Sequence, residues 1–271
     1  MGSPGGAAGE PERSSDETQH SITVSSFSMS KYPVTQKEYE AVMGYNPSYF
    51  QGSNLPAGVN SDNLPVEQVT WFDAVKFCNE LSQNEGLEQV YTITVTSTNG
   101  DHITGATVSA DWTKKGYRLP TETEWEYACR GNYANKATEY NTKPFGIGDG
   151  TKMVSGMANF YTGWPYELPG GQYYDSAEPG NLDRTSAVGS YKANNYGLYD
   201  MHGNVWEWCW DWYGTYPSDG KKDYTGASSG SDRVIRGGSW YYNAQYLRSA
   251  VRLNVDPDDR DRDLGFRVVC P

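Results

Sequence analysis

The sequence predicts an α+β domain in which regular elements make up a small part of a long chain. Its 271 residues contain 22 Tyr, 9 Trp and 30 Gly, and the mean hydropathy is -0.74. Aromatic side chains bury large areas and glycines permit tight turns, so this composition favours a core of rings held by loops over long leucine-rich helices. Helix-start motifs, a hairpin motif and two strand patterns supply the regular elements.

Three segments carry the same helix-start motif, a Thr followed three positions later by a carboxylate. The pairs are Thr35 and Glu38, Thr70 and Asp73, and Thr121 and Glu124. In such a capping box the Thr oxygen accepts the amide hydrogen of the third helical residue, and the carboxylate accepts the amide hydrogen of the Thr. Helices are therefore predicted after each Thr, the second and third ending before Gly86 and Gly131.

The strand patterns lie between the second and third helices and near the C-terminus. "VYTITVTSTNGDHITGATVS" alternates apolar and polar residues around Asn99 and Gly100, which predicts a β-hairpin. From Gly131 to about Tyr199 there is little periodicity and much Gly, Asn, Pro and Tyr, which predicts long ordered loops. "RVIRGGSW" and "LGFRVVC" predict short strands, the second with these residues on one face: Leu264, Phe266, Val268 and Cys270.

The first twenty residues differ in composition from the rest. They are rich in Gly, Ser, Pro and Glu and almost free of apolar side chains, which predicts a flexible tether for 1–20, with a start that resembles a cloning remnant. Residues 21–271 are then a single domain. No apolar run approaches the roughly 20 residues that a membrane-spanning helix requires.

Charge and cysteine usage exclude several kinds of site. The formal net charge is -12 without a Lys/Arg cluster, which argues against binding a nucleic-acid phosphate backbone. No CxxC pair is present, so neither a zinc site nor a dense disulfide framework is expected. Single buried thiols or one long-range disulfide remain open for the four cysteines, Cys78, Cys129, Cys209 and Cys270.

Six ordered blocks give the chain a family resemblance. They are "YPVTQKEYEAVM", "LPVEQVTWFDAVKFCNELSQNEGL", "YRLPTETEWEYACRG", "NNYGLYDMHGNVWEWCWDWY", "RVIRGGSW" and "LGFRVVC". This pattern, from about Ser21 to Cys270, resembles the formylglycine-generating enzyme family, also called sulfatase-modifying factor domains. The resemblance implies a variant of the C-type lectin fold with few helices, short strands and many long ordered loops. Fold alone does not imply the family's activity.

The resemblance also permits a test of oxidase activity. The family's oxidases hold copper with two cysteines shortly after the "GGSW"-like strand, where thiolates select Cu(I). The matching positions here are Tyr242 and Leu247, and no Cys lies between Cys209 and Cys270. The histidines are scattered, and His202 is interpreted as a local structural residue. We therefore expect no catalytic residues, no catalytic cofactor and no enzyme activity.

Two further features follow from the resemblance. Family members bind a structural Ca²⁺ at positions matching Asp200, Gly203, Val205 and Glu207, and hard oxygen ligands suit that ion. The alternative is that Asp200 and Glu207 simply hydrogen-bond loop amides, and the sequence leaves both open. Cys78 and Cys270 roughly match a disulfide pair of secreted family members, with two buried thiols as the alternative.

The segment from Gly237 to Arg267 has the sequence pattern of a variable region, in which framework-like groups alternate with residues such as Tyr, Asn and Asp. Short groups of residues within it, called islands here, fit buried or turn positions; they are residues 244, 247–250 ("LRSA"), 252, 257–258 ("PD"), 260 and 264–267 ("LGFR"). All but Gln245 of the residues between them could arise by changing adenines of an AAC codon, as in the variable proteins of diversity-generating retroelements, which the segment resembles. The candidate ligand-binding residues are Tyr241, Tyr242, Asn243, Gln245, Tyr246, Val251, Leu253, Asn254, Val255, Asp256, Asp259, Asp261, Arg262 and Asp263.

The predicted function is therefore a non-enzymatic receptor. Tyr offers large contact area with few rotors and Asn and Asp offer adaptable hydrogen bonds, a mixture typical of antibody paratopes. We expect a monomer that binds a protein or peptide, tethered to a bacterial cell surface or envelope, for instance as a lipoprotein. The alternatives are a formylglycine-generating oxidase and a catalytically inactive family member with a fixed partner.

Overall fold

Few helices, short strands and long loops make up the chain, and the predicted α+β class with this architecture is confirmed. The computed structural model describes residues 1–5, 10–131, 143–177, 182–217 and 220–271. The helices in these residues are α1 (Gln36–Met43), α2 (Trp71–Asn84) and α3 (Glu122–Arg130). The strands are β1 (Ile22–Thr23), β2 (Ser28–Met29), β3 (Tyr91–Asn99), β4 (His102–Ala110), β5 (Lys152–Met153), β6 (Tyr166–Glu167), β7 (Gly171–Gln172), β8 (Trp206–Trp212), β9 (Lys221–Lys222), β10 (Arg233–Arg236), β11 (Leu253–Val255), β12 (Leu264–Gly265) and β13 (Val269–Cys270).

The three predicted capping boxes are all present. At α1, Thr35 Oγ1 accepts the Glu38 amide at 3.2 Å, and the Glu38 carboxylate accepts the Thr35 amide at 2.8 Å. The same reciprocal bonds begin α2 and α3. Since Gly131 follows α3 with φ 59°, a conformation unfavourable to other residues, the third helix ends where the sequence predicts. No helix in the described ranges has the length and apolar character to span a bilayer.

A four-stranded sheet in the order β11-β10-β8-β12 forms the centre of the domain. β10 is antiparallel to both of its neighbours, and β12 is parallel to β8. β10 is the predicted "RVIR" strand, but β8 was not predicted. The alternation "WEWCWDW" is the signal that was available, because aromatic residues at period two favour strands.

The hairpin is confirmed, with its turn one residue later than expected. Asn99 pairs with His102, so Gly100 and Asp101 form the connection and Gly100 takes the positive φ of 60°. His102 Nδ1 lies 2.7 Å from Asp73 Oδ2, which ties the end of the hairpin to the start of α2. The hairpin therefore packs against the helix that precedes it.

The strand predicted over "LGFRVVC" is broken into two pieces in different sheets. β12 pairs with β8, whereas β13 pairs with β2. Between them Arg267 is fully buried and its guanidinium binds the Glu207 carboxylate. The predicted alternation of faces therefore does not hold here, because almost every side chain from Leu264 to Val269 is buried.

Two apolar cores hold the sheet and the C-terminal segment. In the main core Tyr39 of α1 stacks on Phe77 of α2 at 5.5 Å between centroids, and Phe266 meets both rings edge-on. A second core lies beneath the C-terminal segment and includes Phe145, Phe160, Tyr166, Ala244 and Leu247. Burial of such side chains contributes about 1.5–3 kcal/mol each, so both cores anchor residues within the segment from Gly237 to Arg267.

Residues 1–5 and 10–20 differ from the predicted flexible tether, because they pack against the domain. Glu10 and Glu17 are buried, and their carboxylates form ion pairs with the buried guanidinium of Arg248. The Gly2 amide donates to Glu126 at 2.8 Å. Composition missed this contact because the apolar content of a segment says nothing about a buried cation elsewhere that requires its carboxylates.

Candidate ligand-binding surface

The segment from Gly237 to Arg267 follows β10, an inner strand of the central sheet, and contains both of its outer strands, β11 and β12. It leaves β10 through Gly237 and Gly238, which have φ of 99° and 75°. A Cβ on Gly238 would lie 2.6 Å from Leu247 Cδ1, so this close approach requires glycine. After a single 3₁₀ turn over Ala244–Leu247 the chain forms β11 at one edge and later β12 at the other.

Framework residues within this segment are held by buried contacts. Arg252 donates to both oxygens of Glu122, at 2.8 and 2.7 Å. The guanidinium of Arg248 binds Glu10 and Glu17. These islands were predicted as buried or turn positions, and all are buried except Asp258 and Arg260, which lie in the exposed turn after β11. Each buried arginine fixes the backbone between outward residues, because leaving its charge unpaired would cost several kcal/mol.

The residues between the islands are called here the C-terminal surface. Exposed members are Tyr241, Asn254, Asp256, Asp259, Asp261 and Arg262. Half-buried members are Tyr242, Asn243, Gln245, Tyr246, Leu253 and Val255. Val251 and Asp263 are buried and so do not present side chains to a partner; Val251 packs in the main core and Asp263 accepts the Ser239 hydroxyl at 2.6 Å.

Three tyrosines form a connected cluster on this surface. The Tyr242 ring lies 5.9 Å from that of Tyr241 and 5.1 Å from that of Tyr246, and it meets the buried Trp206 edge-on at 5.4 Å. Burial, and then the nearby Asp263 carboxylate, raise the pKa of Tyr242. Tyr241 is 68% exposed and so has most of its ring free for a partner. Within the cluster, Tyr242 is therefore held against the core and Tyr241 is exposed.

The stretch after β11, residues 256–263, is rich in Asp and is called here the acidic turn; it adjoins the tyrosine cluster. The Trp240 indole donates to the Arg262 carbonyl at 3.2 Å, which places this turn beside the start of the segment. Burial raises the pKa of Asp263 to about 6. Near Asp263, Glu67 is fully buried, and among the described residues no cationic side chain forms an ion pair with it. Its carboxylate accepts the amides of Tyr49 and Phe50, and burial raises its pKa to about 8.

The two positions that the family resemblance assigns to copper ligands, Tyr242 and Leu247, make other contacts in the structure. Leu247 lies in the second core, and Tyr242 belongs to the tyrosine cluster. All four cysteines are free thiols, Cys78 and Cys270 included, and burial raises the pKa of Cys129 to about 12. Within the described ranges, no group of three His, Cys, Asp or Glu side chains is arranged to hold a metal.

His202 has the structural role that the sequence predicts. Nδ1 donates to the Leu247 carbonyl at 2.7 Å and Nε2 accepts the Gly146 amide at 2.9 Å, which assigns the neutral tautomer with hydrogen on Nδ1. Burial lowers the pKa of His202 to about 4. The imidazole thus joins the loop at Gly146 to the C-terminal segment.

The residues that the family resemblance assigns to calcium do not fit the ion in this arrangement. Glu207 accepts two bonds from Arg267, both at 2.7 Å, and one from the Trp125 indole at 2.6 Å. Asp200 Oδ2 accepts the Gly189 amide at 2.7 Å. Ca²⁺ requires six to eight oxygen ligands, and here a guanidinium already neutralises the carboxylate that would be central. Gly203 and Val205 stand in the same loop, Val205 with its side chain buried.

The fold, the block pattern and the loop-rich surface together define a family. The sequence profile of the sulfatase-modifying factor enzyme 1-like domain matches residues 3–271, and the chain belongs to this family. The match includes most of the N-terminal segment, in agreement with its packing against the domain.

The chain is similar to proteins with different roles. It is 33% identical to the chaperone protein LppX of Paenibacillus barcinonensis over 267 residues, covering 94% of this chain and 84% of that relative. It is 37% identical over 167 residues to the formylglycine-generating enzyme of Streptomyces coelicolor, but this match covers 60% of the chain and only 48% of that enzyme. An inactive Cα-formylglycine-generating enzyme 2 from Mus musculus is 27% identical, with 91% of this chain and 75% of that relative covered.

Among solved structures, the chain resembles Treponema denticola variable protein 1. The two are 33% identical with a TM-score of 0.76, and the match covers 96% of this chain and 90% of that one. The family therefore includes enzymes, an inactive relative and a variable protein. Family membership does not by itself assign an activity to this chain.

Sequence reasoning missed several residues that adjoin the C-terminal surface. Tyr161 and Trp164 lie just before β6, in a stretch that hydrogen-bonds to Tyr242 and Ala244, and Tyr174 follows β7. Ser14 and Asp16 line a groove that also includes Gln245, Tyr246 and Leu253. No local pattern connects these distant segments. The available signal for the aromatic residues was Trp164, a tryptophan within a stretch rich in Gly and Tyr.

Proposed function

We propose that this chain is a non-enzymatic ligand-binding protein whose C-terminal surface is diversified by a retroelement and binds a protein or other macromolecule. The observation that carries the proposal is the division of Gly237–Arg267. Nearly all island side chains are buried, whereas the residues between them are exposed or half-buried apart from Val251 and Asp263. Such a division lets a surface change while its backbone stays fixed.

The chemistry of the surface suits a macromolecular partner. The tyrosine cluster offers rigid contact area, and the acidic turn offers charge at the rim. The similarity to Treponema denticola variable protein 1 supports the assignment to the variable class. We extend the proposal to display on a bacterial cell surface or envelope, as a monomer held there as a lipoprotein.

Oxidase activity is not part of the proposal. Tyr242 and Leu247 stand where the family's copper cysteines would be, and neither side chain is a thiolate ligand. The inactive mouse relative supports the view that this fold persists without the chemistry. A copper-loaded sample given a cysteine-containing sulfatase peptide under oxygen should yield no formylglycine by mass spectrometry; its formation would refute the non-enzymatic assignment.

The division into framework and surface is tested with two gene pools. In the first, the exposed and half-buried members of the C-terminal surface are replaced by AAC-derived codons; in the matched pool the same codons replace Ala244, Leu247, Arg248, Arg252 and Phe266. Since surface changes usually alter stability by only about 0.5 kcal/mol and core changes by several, we expect most of the first pool and little of the second to fold.

The outcome is measured by thermal melting of individual clones from each pool. Equal losses in both pools would contradict the proposed division. A second observation addresses diversification itself: a near-copy of the last segment with AAC codons should lie downstream in the DNA, beside a reverse transcriptase. Its absence would favour a catalytically inactive domain with a fixed partner.

A further inference from the structure

We infer that the ligand surface extends beyond the C-terminal segment onto an aromatic patch, defined as Tyr161, Trp164 and Tyr174, and that its partner is a polypeptide segment carrying Lys or Arg side chains. The inference rests on the proposed ligand-binding function and names the partner class for it. The patch lies outside Gly237–Arg267, the segment that the proposed retroelement would diversify, so it would be the same in every variant.

Backbone hydrogen bonds join the aromatic patch directly to the C-terminal surface. The Tyr161 amide donates to the Tyr242 carbonyl at 2.9 Å, and the Ala244 amide donates to the Trp164 carbonyl at 3.2 Å. The two patch residues therefore flank the stretch that carries the tyrosine cluster. A ligand large enough to cover that cluster would also meet the patch.

The side chains of the aromatic patch are large and apolar, yet they are exposed to solvent. Tyr174 is 63% exposed and Trp164 is 39% exposed, and their centroids are 5.0 Å apart. The Asp175 amide donates to the Gly163 carbonyl at 3.3 Å, which joins the stretch before β6 that carries Trp164 to the stretch after β7 that carries Tyr174. Trp and Tyr in such positions are the residues that most often dominate binding energy at protein interfaces.

The charge around the patch favours a cationic partner. Residues 161–177 contain no Lys or Arg but include Glu167 and Asp175. The acidic turn, which the Trp240–Arg262 hydrogen bond joins to the residue before Tyr241, exposes Asp256, Asp259 and Asp261. Since an ammonium or guanidinium group is attracted both to the face of an aromatic ring and to nearby carboxylates, Lys and Arg fit this surface better than anionic or neutral groups.

The placement of these residues gives the constant rings and the variable positions different roles in binding. The constant rings supply contact area and cation–π attraction for any Lys- or Arg-bearing segment, and the changing residues beside them decide which segment is accepted. The exposed Arg260 and Arg262 of the acidic turn act in the opposite sense, and the Arg262 guanidinium lies 5.2 Å from the ring centre of Tyr49, which is not part of the tyrosine cluster. Variants that change the turn would alter specificity without removing the patch.

The experiment pans a phage-displayed library of random peptides against the whole protein and measures the affinity of one enriched synthetic peptide. Enriched sequences should carry more Lys and Arg than the input library. Trp164→Ala should weaken binding by roughly tenfold or more, as expected for an aromatic anchor. Trp164→Leu keeps apolar bulk but removes the ring face and should weaken binding by about two- to fivefold, the usual value of an exposed cation–π contact.

Controls separate this inference from the proposed function. Trp112→Ala removes a tryptophan of similar exposure, 37%, outside the patch and should leave affinity unchanged. Melting curves confirm that each variant is folded. If Tyr241→Ala abolishes binding while both Trp164 variants bind normally, the patch is refuted and the proposed function stands. If no peptide is enriched, or the enriched peptides lack cationic residues, the cationic-polypeptide assignment is overturned.

Discussion

Buried charged side chains decide which positions of the C-terminal segment can change. Arg248, Arg252 and Arg267 each bind a carboxylate from a distant part of the chain. Removing one partner of a buried pair costs about 3–5 kcal/mol, whereas changing an exposed neighbour such as Asn254 costs little. The buried and exposed positions of the segment thus differ in the energetic cost of a substitution.

His202 gives a prediction at the residue scale for the dependence of stability on pH. Its pKa is about 4 in the folded protein against an ordinary value of 6.5, so the unfolded chain binds more protons between these values. The stability that neutral His202 supplies is therefore fully present above pH 6.5 and is lost as pH falls toward 4. At pH 4 the loss approaches about 3 kcal/mol.

Urea unfolding of the wild type and of His202→Asn between pH 4 and pH 7.5 measures this effect. Other groups titrate in both proteins, so the quantity of interest is the difference between their free energies of unfolding. That difference should shrink as the pH falls. A constant difference across the range would mean that His202 titrates normally and is not held neutral by its two backbone partners.

At the element scale, the N-terminal segment acts as a brace for the candidate surface. Its buried Glu10 and Glu17 hold Arg248, and Arg248 lies in the chain between the half-buried Tyr246 of the C-terminal surface and the buried Val251. The Glu12 carbonyl also accepts from Arg248 at 3.0 Å. The segment thus fixes the backbone on which the surface is built, a role that its composition did not predict.

Deleting residues 1–20 tests this role. A flexible tether could be removed without effect, whereas loss of a brace should lower the melting temperature by about 5 °C or more, since roughly 1 kcal/mol corresponds to 2–4 °C in a domain of this size. Glu10→Gln/Glu17→Gln is the matched variant, which keeps the chain but removes both charges. An unchanged melting temperature in the two variants would restore the tether interpretation.

At the scale of the whole molecule, stability should not depend on calcium. The Glu207 carboxylate is committed to Arg267 and Trp125, so the described arrangement holds these loops by protein contacts alone. Melting curves with EDTA and with added Ca²⁺ should coincide, because an ion that binds only the folded state would raise the melting temperature with its concentration. A calcium-dependent rise that Asp200→Ala abolishes would contradict this prediction and assign the ion to the family's site.

Local chemistry made part of the fold predictable. The capping boxes at Thr35, Thr70 and Thr121 and the hairpin at Gly100 are satisfied within a few residues, so they could be predicted without tertiary information. The break in the last predicted strand could not, because it depends on Arg267 reaching Glu207 across the sheet. Of the candidate ligand-binding positions, most are exposed or half-buried in the structure, whereas Val251 and Asp263 are buried.

The sequence by itself determined the family, the α+β architecture, the caps and the separation of framework from surface in most of the C-terminal segment. Periodicity and motif spacing are local properties, and they suffice for these features. Only the tertiary structure decided that the N-terminal segment braces Arg248, that Glu207 is held by Arg267, and that Tyr161 and Trp164 adjoin the tyrosine cluster. Each of these depends on residues distant in the chain that become neighbours only when burial pairs their charges and joins their backbones.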